Sequence, residues 1–211
     1  MEPISLSILL KYGIMGVYFI WRYYESQSGQ KLQPIKGIKL GILGMKGAGK
    51  TRLYSYLNPK MEYVEGQTYM EPYSSFSYKK KDGTIVNIEE GIDIGGGEDE
   101  AKEFMHQFLQ EKDSIIFIFD ICKYSKNMKY KEITNARIDY INSCRREGTK
   151  ICFLLSHVDM LGNTLQTAKI ISSFQKEMKD KPYGTIVLNN FAPVNITDSN
   201  QLMTIENKLF P

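Results

Sequence analysis

The chain has few of the residues that build disulfide frameworks or metal clusters. Its 211 residues include three cysteines and two histidines. The cysteines are odd in number and lack C-x-x-C spacing, and the histidines are isolated from one another. Neither a disulfide scaffold nor a zinc site is therefore expected, and the simplest inference is a reducing, cytoplasmic compartment.

The chain also lacks a block of like charges, an internal repeat and any low-complexity stretch. Its formal net charge is +3, and the lysines are spread along the sequence. Composition therefore gives no support for nucleic-acid binding, and we predict none. The length suits one full α/β domain with a short appendage.

One long apolar run lies near the N-terminus, at Ile4–Trp21. It is close to the ~20 residues that cross a bilayer as a helix. Lys11 interrupts it, and a lysine near the middle of a span costs about 2.5–3.5 kcal/mol. No small-residue cleavage site follows, which argues against a secretory signal peptide. We interpret residues 1–24 as a hydrophobic helix that anchors the protein in a membrane; a helix docked on the domain, or buried in a partner, is the alternative.

Residues 25–36 are rich in Ser, Gln and Gly, and we interpret them as a linker. The basic residues Arg22, Lys31 and Lys36 follow the apolar run. If that run spans a membrane, the bias of basic residues toward the cytoplasmic side predicts that the rest of the chain lies in the cytoplasm.

The most informative stretch is Gly44–Thr51, which follows the pattern G-x-x-x-x-G-K-T. An apolar run typical of a buried strand precedes it, and a helix-capable segment follows it. Glycines allow backbone N–H groups to approach a phosphate chain closely, and the helix N-terminus adds a positive dipole. Lys50 would reach the β- and γ-phosphates, and the Thr51 hydroxyl would bind Mg²⁺. The stretch predicts a phosphate-binding loop with the residues Gly44, Lys46, Gly47, Ala48, Gly49, Lys50 and Thr51; a glycine-rich turn that matches by chance is the alternative.

A β-hairpin is predicted after the loop and its helix. Ser74–Lys80 alternates polar and aromatic residues, Asp82-Gly83 is a strong turn signal, and Thr84–Ile92 favours a second strand. The second strand ends in a D-x-x-G pattern, at Asp93 to Gly96. In that pattern the carboxylate holds Mg²⁺ through water and the glycine N–H contacts the γ-phosphate. The pattern is weak alone, but its position after a phosphate loop and a hairpin strengthens it.

The rest of the chain alternates predicted strands and helices. Continuous apolar runs at Ser114–Asp120 and Ile151–Leu155 are typical of central parallel strands that are covered on both faces. Two shorter segments, Thr185–Leu188 and Phe191–Val194, favour strands. Helical periodicity predicts helices over Glu98–Lys112, Asn127–Glu147, Thr164–Lys181 and Asp198–Phe210.

The order of these motifs resembles that of the Ras-like small GTPases of the P-loop family, over roughly Ile38–Phe210. The resemblance implies a three-layer αβα fold around a mostly parallel six-stranded sheet with one antiparallel edge strand. It implies a GTPase-like nucleotide-binding domain over residues 37–211, with GTP or GDP and Mg²⁺ as cofactors. It also implies protein partners that bind the switch regions.

The family's remaining positions carry over residue by residue. Thr68 is the best match to the switch threonine that binds Mg²⁺ in the GTP state, with Ser74 or Ser75 as alternatives. The implied metal ligands are Thr51, Thr68 and Asp93, and Gly96 would contact the γ-phosphate. No catalytic residue is assigned, although Lys50 and Thr68 would support catalysis.

The base-binding motif departs from the family's usual N/T-K-x-D, since this chain has Ser156-His157-Val158-Asp159. Asp159 would accept both guanine N–H groups, while adenine would leave that buried charge facing an acceptor. Ser156 would donate to the loop, and His157 would stack on the base. Asn195-Ile196-Thr197 occupies the place where a backbone amide meets the guanine carbonyl.

Two further departures imply slow hydrolysis. Gly97 stands where the family often has a glutamine that orients the attacking water. Lys46 precedes Gly47 at a point where a bulky side chain would crowd an incoming arginine finger. The site is therefore predicted to hold a nucleotide better than it hydrolyses one.

These observations favour a membrane-associated GTP-binding switch with slow GTP hydrolysis. The alternative is a pseudo-GTPase scaffold that binds a nucleotide, or none, and serves as a docking subunit. An ATP-using enzyme such as a kinase is a third hypothesis, but the sequence offers no acceptor-substrate site. The N-terminal segment is similar to those of the signal-recognition-particle receptor β subunit and of Arf-like proteins, and a bacterial GTPase-like component fits as well.

Overall fold

Strands and helices alternate along the chain from Leu40 onward. The structure, a computed structural model, describes residues 37–58, 71–93 and 102–210. The elements are β1 (Leu40–Gly44), α1 (Lys50–Leu57), β2 (Glu71–Tyr73), β3 (Phe76–Lys79), β4 (Ile85–Ile88), β5 (Gly91–Asp93), α2 (Lys102–Glu111), β6 (Ser114–Asp120), α3 (Ile121–Lys126), α4 (Met128–Cys144), β7 (Lys150–Ser156), a 3₁₀ turn (Val158–Leu161), α5 (Thr164–Lys179), α6 (Gly184–Asn190), β8 (Phe191–Pro193), α7 (Ser199–Thr204) and α8 (Glu206–Leu209).

Four parallel strands form the central sheet, in the order β1-β6-β7-β8. Leu40 of β1 lies opposite Ser114 of β6, and Ser114 lies opposite Lys150 of β7. Every residue of β1 and β6 is buried, which is the reason that both strands are apolar runs rather than alternating ones. The predicted strand Ser114–Asp120 is confirmed, and the predicted strand Ile151–Leu155 lies within β7. The prediction of an α/β fold with parallel strands is confirmed.

The predicted hairpin is present as two antiparallel pairs, β2 with β5 and β3 with β4. One register runs through both pairs, because Phe76 lies three residues after Tyr73 while its partner Ile88 lies three residues before Gly91. Asp82 and Gly83 form the turn as predicted: the Asp82 carboxylate accepts the Thr84 N–H at 2.8 Å, and Gly83 has a φ of 87°.

The hairpin is attached beside the start of β1. Ile38 forms a parallel bridge with Ile88. The Ile38 N–H donates to the Asn87 carbonyl at 2.7 Å, and the Glu89 N–H donates to the Ile38 carbonyl at 3.1 Å. The described strands thus comprise a four-stranded parallel sheet and two antiparallel pairs, with backbone hydrogen bonds between the hairpin and the approach to β1.

One strand prediction is wrong, because Thr185–Leu188 lies inside helix α6. Gly184 begins this helix so close to the end of α5 that an added Cβ would lie 1.8 Å from the Met178 carbonyl oxygen. Val187 is fully buried, and its N–H donates to the Tyr183 carbonyl. This packing overrides the β propensity of a run that contains threonine, isoleucine and valine.

The C-terminal helix predicted over Asp198–Phe210 is two short helices, α7 and α8, separated at Ile205. Asp198 is the N-cap of α7, because its carboxylate accepts the N–H groups of Asn200 and Gln201 at 2.9 and 3.3 Å. The helices predicted over Asn127–Glu147 and Thr164–Lys181 are confirmed with shorter bounds, as α4 and α5. The helix predicted over Glu98–Lys112 is confirmed where the structure describes it, as α2, and residues 98–101 lie outside the described ranges.

The chain from Gly37 to Pro211 forms one compact unit. Within the three described ranges, no helix is long and apolar enough to cross a bilayer. The apolar segment Ile4–Trp21 and the linker at residues 25–36 lie outside those ranges, so the membrane anchor remains a prediction.

Candidate phosphate-binding site

The loop between β1 and α1 has a backbone that glycine adopts far more readily than other residues. The φ angles of Gly47 and Gly49 are 70° and 99°. Gly49 is also the N-cap of α1. An L-residue at either position would place its Cβ against the backbone, at a cost of about 1–2 kcal/mol. The predicted strand–loop–helix arrangement of Gly44–Thr51 is therefore present, with glycines where the turn needs them.

The loop is packed against the neighbouring strand β6. The Met45 N–H donates to the Ile118 carbonyl at 3.0 Å. A Cβ on Gly44 would lie 2.1 Å from the same carbonyl oxygen, so only glycine fits there. On its other side the loop meets Ile196, whose Cδ1 lies 3.1 Å from the position of a Cβ on Gly49. The backbone of the loop is thus fixed by residues distant in the sequence.

Lys50 is buried, with 6% of its surface exposed, although it carries a charge. Its ammonium Nζ lies 3.4 Å from the carbonyl oxygens of both Gly44 and Met45. The guanidinium of Arg137, in α4, also reaches the Gly44 carbonyl, at 3.4 Å. Two cations therefore lie at the start of the loop, and the Lys50 side chain is turned back over it. This arrangement fits a phosphate chain, which needs positive charge and glycine backbone at close range.

A further charged pair, Asp120 and Lys123, lies at the carboxyl end of β6, where Asp120 is the N-cap of helix α3. The Asp120 side chain is 4% exposed. Its carboxylate accepts the Lys123 N–H at 2.9 Å and lies 3.5 Å from Lys123 Nζ. The Asp120 N–H donates to the hydroxyl of Tyr130 at 2.9 Å, and burial raises the pKa of Tyr130 above its ordinary value. Asp120 is therefore fixed through both its side chain and its backbone.

The motif Ser156-His157-Val158-Asp159 follows β7 at the same edge of the sheet. Ser156 is fully buried, and its hydroxyl donates to the Phe119 carbonyl of β6 at 3.0 Å. The expectation that Ser156 donates to the phosphate loop is therefore wrong, because the β6–β7 pairing places the Phe119 carbonyl within hydrogen-bond distance of the Ser156 hydroxyl. The Ser156 hydroxyl also lies 2.9 Å from His157 Nδ1.

His157 has a φ of 61°, and it is the one non-glycine residue with positive φ in the described ranges. Histidine is among the residues that adopt this region more often than most. His157 Nδ1 lies 3.8 Å from the Asp120 carboxylate. The histidine predicted to stack on a base is thus held between Ser156 and Asp120, both buried.

Asp159 lies in the 3₁₀ turn after β7, and it is exposed. Asn195 follows β8, and its N–H donates to the Gln201 side chain at 2.9 Å. Ile196, next along, is buried against Gly49. Because the strands are parallel, the loops after β1, β6, β7 and β8 all emerge at one edge of the sheet, which is where ligands bind in open α/β sheets.

Several of the predicted residues have no described side chain. Thr68 and Gly96 lie outside the described residues, as does Gly97. Asp93 ends β5 opposite Glu71, and only its backbone is described. Within the described ranges, no three His, Cys, Asp or Glu residues are grouped so that they could hold a metal ion. The Mg²⁺ ligands Thr51, Thr68 and Asp93 therefore remain a prediction.

Sequence analysis missed three residues that the fold brings to the loop: Asp120, Lys123 and Arg137. The signal for Asp120 was present, since it directly follows a buried parallel strand at the edge where ligands bind. Lys123 and Arg137 gave no signal, because their positions depend on how α3 and α4 pack beside the loop.

A scan against protein-family models finds no match for this chain, and a search of curated proteins finds none either.

Proposed function

We propose that this protein is a GTP-binding switch that uses Mg²⁺, hydrolyses GTP slowly and acts at the cytoplasmic face of a membrane through a protein partner. The observation that supports it best is the phosphate loop. It combines two glycines at positive φ with a buried lysine whose ammonium lies 3.4 Å from two loop carbonyls. A triphosphate supplies the negative charge that such a lysine and the N-terminus of α1 would stabilise.

The strand pairing supports the finer fold that this function needs. The two antiparallel pairs share one register, and Ile38 bridges Ile88 in parallel just before β1. We infer one sheet of six strands in three αβα layers, in which the hairpin continues the sheet beyond β1 and supplies its antiparallel edge. β1 would then be the strand at which the order reverses, and ligands bind at such switch points.

The choice of guanine rests on Asp159. Its carboxylate is exposed at the same edge of the sheet as the loop, and Ile196 of the last motif lies against Gly49. A base placed between these loops would have its two N–H groups accepted by Asp159. Ser156 is engaged by Phe119, so it fixes the backbone of this turn rather than the phosphate loop.

Bound Mg²⁺ would neutralise part of the charge on the β- and γ-phosphates, with Thr51, Thr68 and Asp93 as its protein ligands. Lys50 would bind the same phosphates. Lys46 is exposed on the loop, where its side chain would crowd an arginine supplied by an activating partner. With Gly97 unable to orient a water molecule, the residues of this chain favour holding GTP over hydrolysing it.

Binding of GTP, GDP, ATP and ADP to the purified full-length protein, with Mg²⁺, tests the proposal. Guanine nucleotides should bind, and Lys50→Ala should abolish binding. Asp159→Asn should relax the preference for guanine, whereas Asp139→Asn, an exposed aspartate on α4, should not. Preference for ATP over GTP would overturn the proposal.

The second candidate is a pseudo-GTPase scaffold, and one specific observation favours it. Ser156, at the first position of the base motif, is committed to the sheet through Phe119 instead of to the loop. A scaffold would bind none of the four nucleotides, or would bind GTP without turnover. A switch should show measurable single-turnover hydrolysis within the intrinsic rates of roughly 10⁻⁴ to 10⁻² s⁻¹ that are seen without an activating partner.

A further inference from the structure

A second lysine lies beside the phosphate loop, and the motifs do not account for it. Lys123 is in α3, yet its ammonium Nζ lies 3.6 Å from the position that a Cβ on Gly47 would occupy. Apart from Lys46 and Ala48, the chain neighbours of Gly47, no other atom of the described residues lies within 4 Å of that position. Among the described residues that are distant from Gly47 in the sequence, the Lys123 ammonium is therefore the group nearest to this face of the loop.

The lysine is held there by a buried carboxylate. Asp120 accepts the Lys123 backbone N–H and lies 3.5 Å from its ammonium, while its own side chain is 4% exposed. The Lys123 side chain is 52% exposed. An ion pair with so much exposure contributes little stability. Asp120 therefore directs the ammonium toward the loop, and the weak ion pair leaves the ammonium able to contact a second anion.

The ammonium groups of Lys50 and Lys123 lie near different parts of the loop. Lys50 Nζ lies 3.4 Å from the carbonyls of Gly44 and Met45, where the loop begins. Lys123 Nζ lies near Gly47, farther along. A phosphate chain carries several negative charges, and a lysine binds phosphate as a compact point charge. Two ammonium groups at separate points along one loop match such a chain better than one.

We propose that Lys123 is a phosphate-binding residue of this site, whose ammonium contacts the phosphate chain of the bound nucleotide beside Gly47, and that Asp120 positions it. This inference rests on the proposed function, since it requires a phosphate chain in the loop. The competing role is a purely structural ion pair at the start of α3, which would leave nucleotide affinity unchanged.

Dissociation constants for GTP, GDP and guanosine, measured on full-length protein with Lys123→Gln, Lys123→Arg and Lys126→Gln, separate these roles. Lys126 is the matched control, because it is exposed on the same helix. Lys123→Gln should weaken GTP and GDP binding by about three- to tenfold, the modest effect expected of a half-exposed cation, and should leave guanosine unaffected. The loss should shrink at high salt, because screening weakens exposed charges. Lys123→Arg should retain affinity, and Lys126→Gln should match the wild type.

Equal affinities of wild type and Lys123→Gln for GTP and GDP, with Lys50→Ala abolishing both, would overturn the role of Lys123 and leave the proposed function standing. An equal loss for guanosine would also overturn it, since the effect would then be structural. If the wild-type protein binds neither GTP nor GDP, both the proposed function and the role of Lys123 fail.

Discussion

Ile196 and Gly49 meet directly, although they are far apart in the sequence: Ile196 Cδ1 lies 3.1 Å from the position of a Cβ on Gly49. The contact joins the loop after β8 to the start of α1. It places a buried apolar side chain against the last glycine before Lys50. The shape of the phosphate loop therefore depends on the packing of a residue at the far end of the sheet.

Gly49→Ala should destabilise the protein more than Gly83→Ala does. Both glycines have positive φ, but, apart from its chain neighbours, no described residue has an atom within 4 Å of a Cβ on Gly83, in the hairpin turn. The backbone strain of about 1–2 kcal/mol is common to both variants. Gly49→Ala adds overpacking against Ile196, of about 1–3 kcal/mol. Denaturant unfolding of the two variants measures the difference, and equal losses would contradict a tight contact at Ile196.

Replacing Glu206 should loosen the hairpin. This buried carboxylate, in α8, accepts hydrogen bonds from the hydroxyl of Tyr78 and from the Lys81 N–H, the latter at 2.9 Å. Burial raises the pKa of Tyr78, so its hydroxyl remains a donor. Glu206→Ala leaves the Lys81 N–H without its partner and the Tyr78 hydroxyl with only the Tyr56 oxygen, 3.0 Å away. It should lower the free energy of unfolding by about 1–3 kcal/mol.

Glu132→Ala, at an exposed position on α4, is the control for Glu206 and should change the free energy of unfolding by less than about 0.5 kcal/mol. Tyr78→Phe should lower the free energy of unfolding less than Glu206→Ala does, because the hydrogen bond from the Lys81 N–H to Glu206 remains. Hydrogen exchange at β3 and β4 locates the effect. Unchanged protection of the hairpin amides in Glu206→Ala would show that the carboxylate does not hold the hairpin.

The protein should lose stability at acid pH as the carboxylate of Glu177, in α5, becomes protonated. Burial alone would raise the pKa of this carboxyl, but hydrogen bonds from Lys131 at 2.8 Å and from Tyr124 at 2.9 Å outweigh burial, so the pKa is lowered. A lowered folded-state pKa means that the stabilisation is present above the unfolded value of about 4.3 and is lost as the pH falls through the folded value.

Comparison of wild type with Glu177→Gln from pH 7 to pH 3 isolates this contribution, because the other carboxyl groups are common to both. At pH 7 the variant should be less stable by about 1–2 kcal/mol. The difference in unfolding free energy between wild type and variant should disappear below the folded pKa of Glu177. A gap that stays constant over this range would show that protonation of Glu177 does not set the acid sensitivity.

The N-terminal segment should determine whether the protein partitions into membranes. Deletion of residues 1–24 should move the protein from the membrane fraction to the supernatant. Lys11→Leu should strengthen membrane association, since a lysine near the middle of a span costs about 2.5–3.5 kcal/mol. Sedimentation with lipid vesicles measures both. Full-length protein that remains in the supernatant would contradict the anchor.

Local signals in the sequence were sufficient for the strand–loop–helix arrangement at Gly44–Thr51, the hairpin turn and the main strands. The run Ser114–Asp120 predicts β6 with its observed bounds, because a strand covered on both faces is continuously apolar in its interior, here Ile115–Phe119. The cap at Asp198 was also predictable, since a carboxylate at an N-cap needs only the next three residues. Thr185–Leu188 shows the limit: its local preference for a strand lost to the packing of Gly184 on the end of α5.

The contacts around the loop could not be predicted, because each depends on strand register. Ser156 donates to Phe119 only because Asp120 lies opposite Ser156 in the β6–β7 pair. Lys123 reaches Gly47 only because β1 and β6 are neighbours. The sequence therefore identifies the residues that carry a motif, whereas the cations that gather beside it follow from the fold.

The pairing of β1 with β6 has a consequence for the order of folding. The hairpin joins Phe76 to Ile88 over a short stretch of chain, so it can close within roughly 1–10 µs, whereas Leu40 must find Ser114 across a long loop. The phosphate loop depends on that distant partner, because the Ile118 carbonyl holds Met45 and leaves room only for Gly44. A nascent chain that has not yet extended past β6 should therefore lack the formed loop at Gly44–Thr51. If this loop binds a nucleotide as proposed, the nucleotide would act on the last steps of folding rather than on the first.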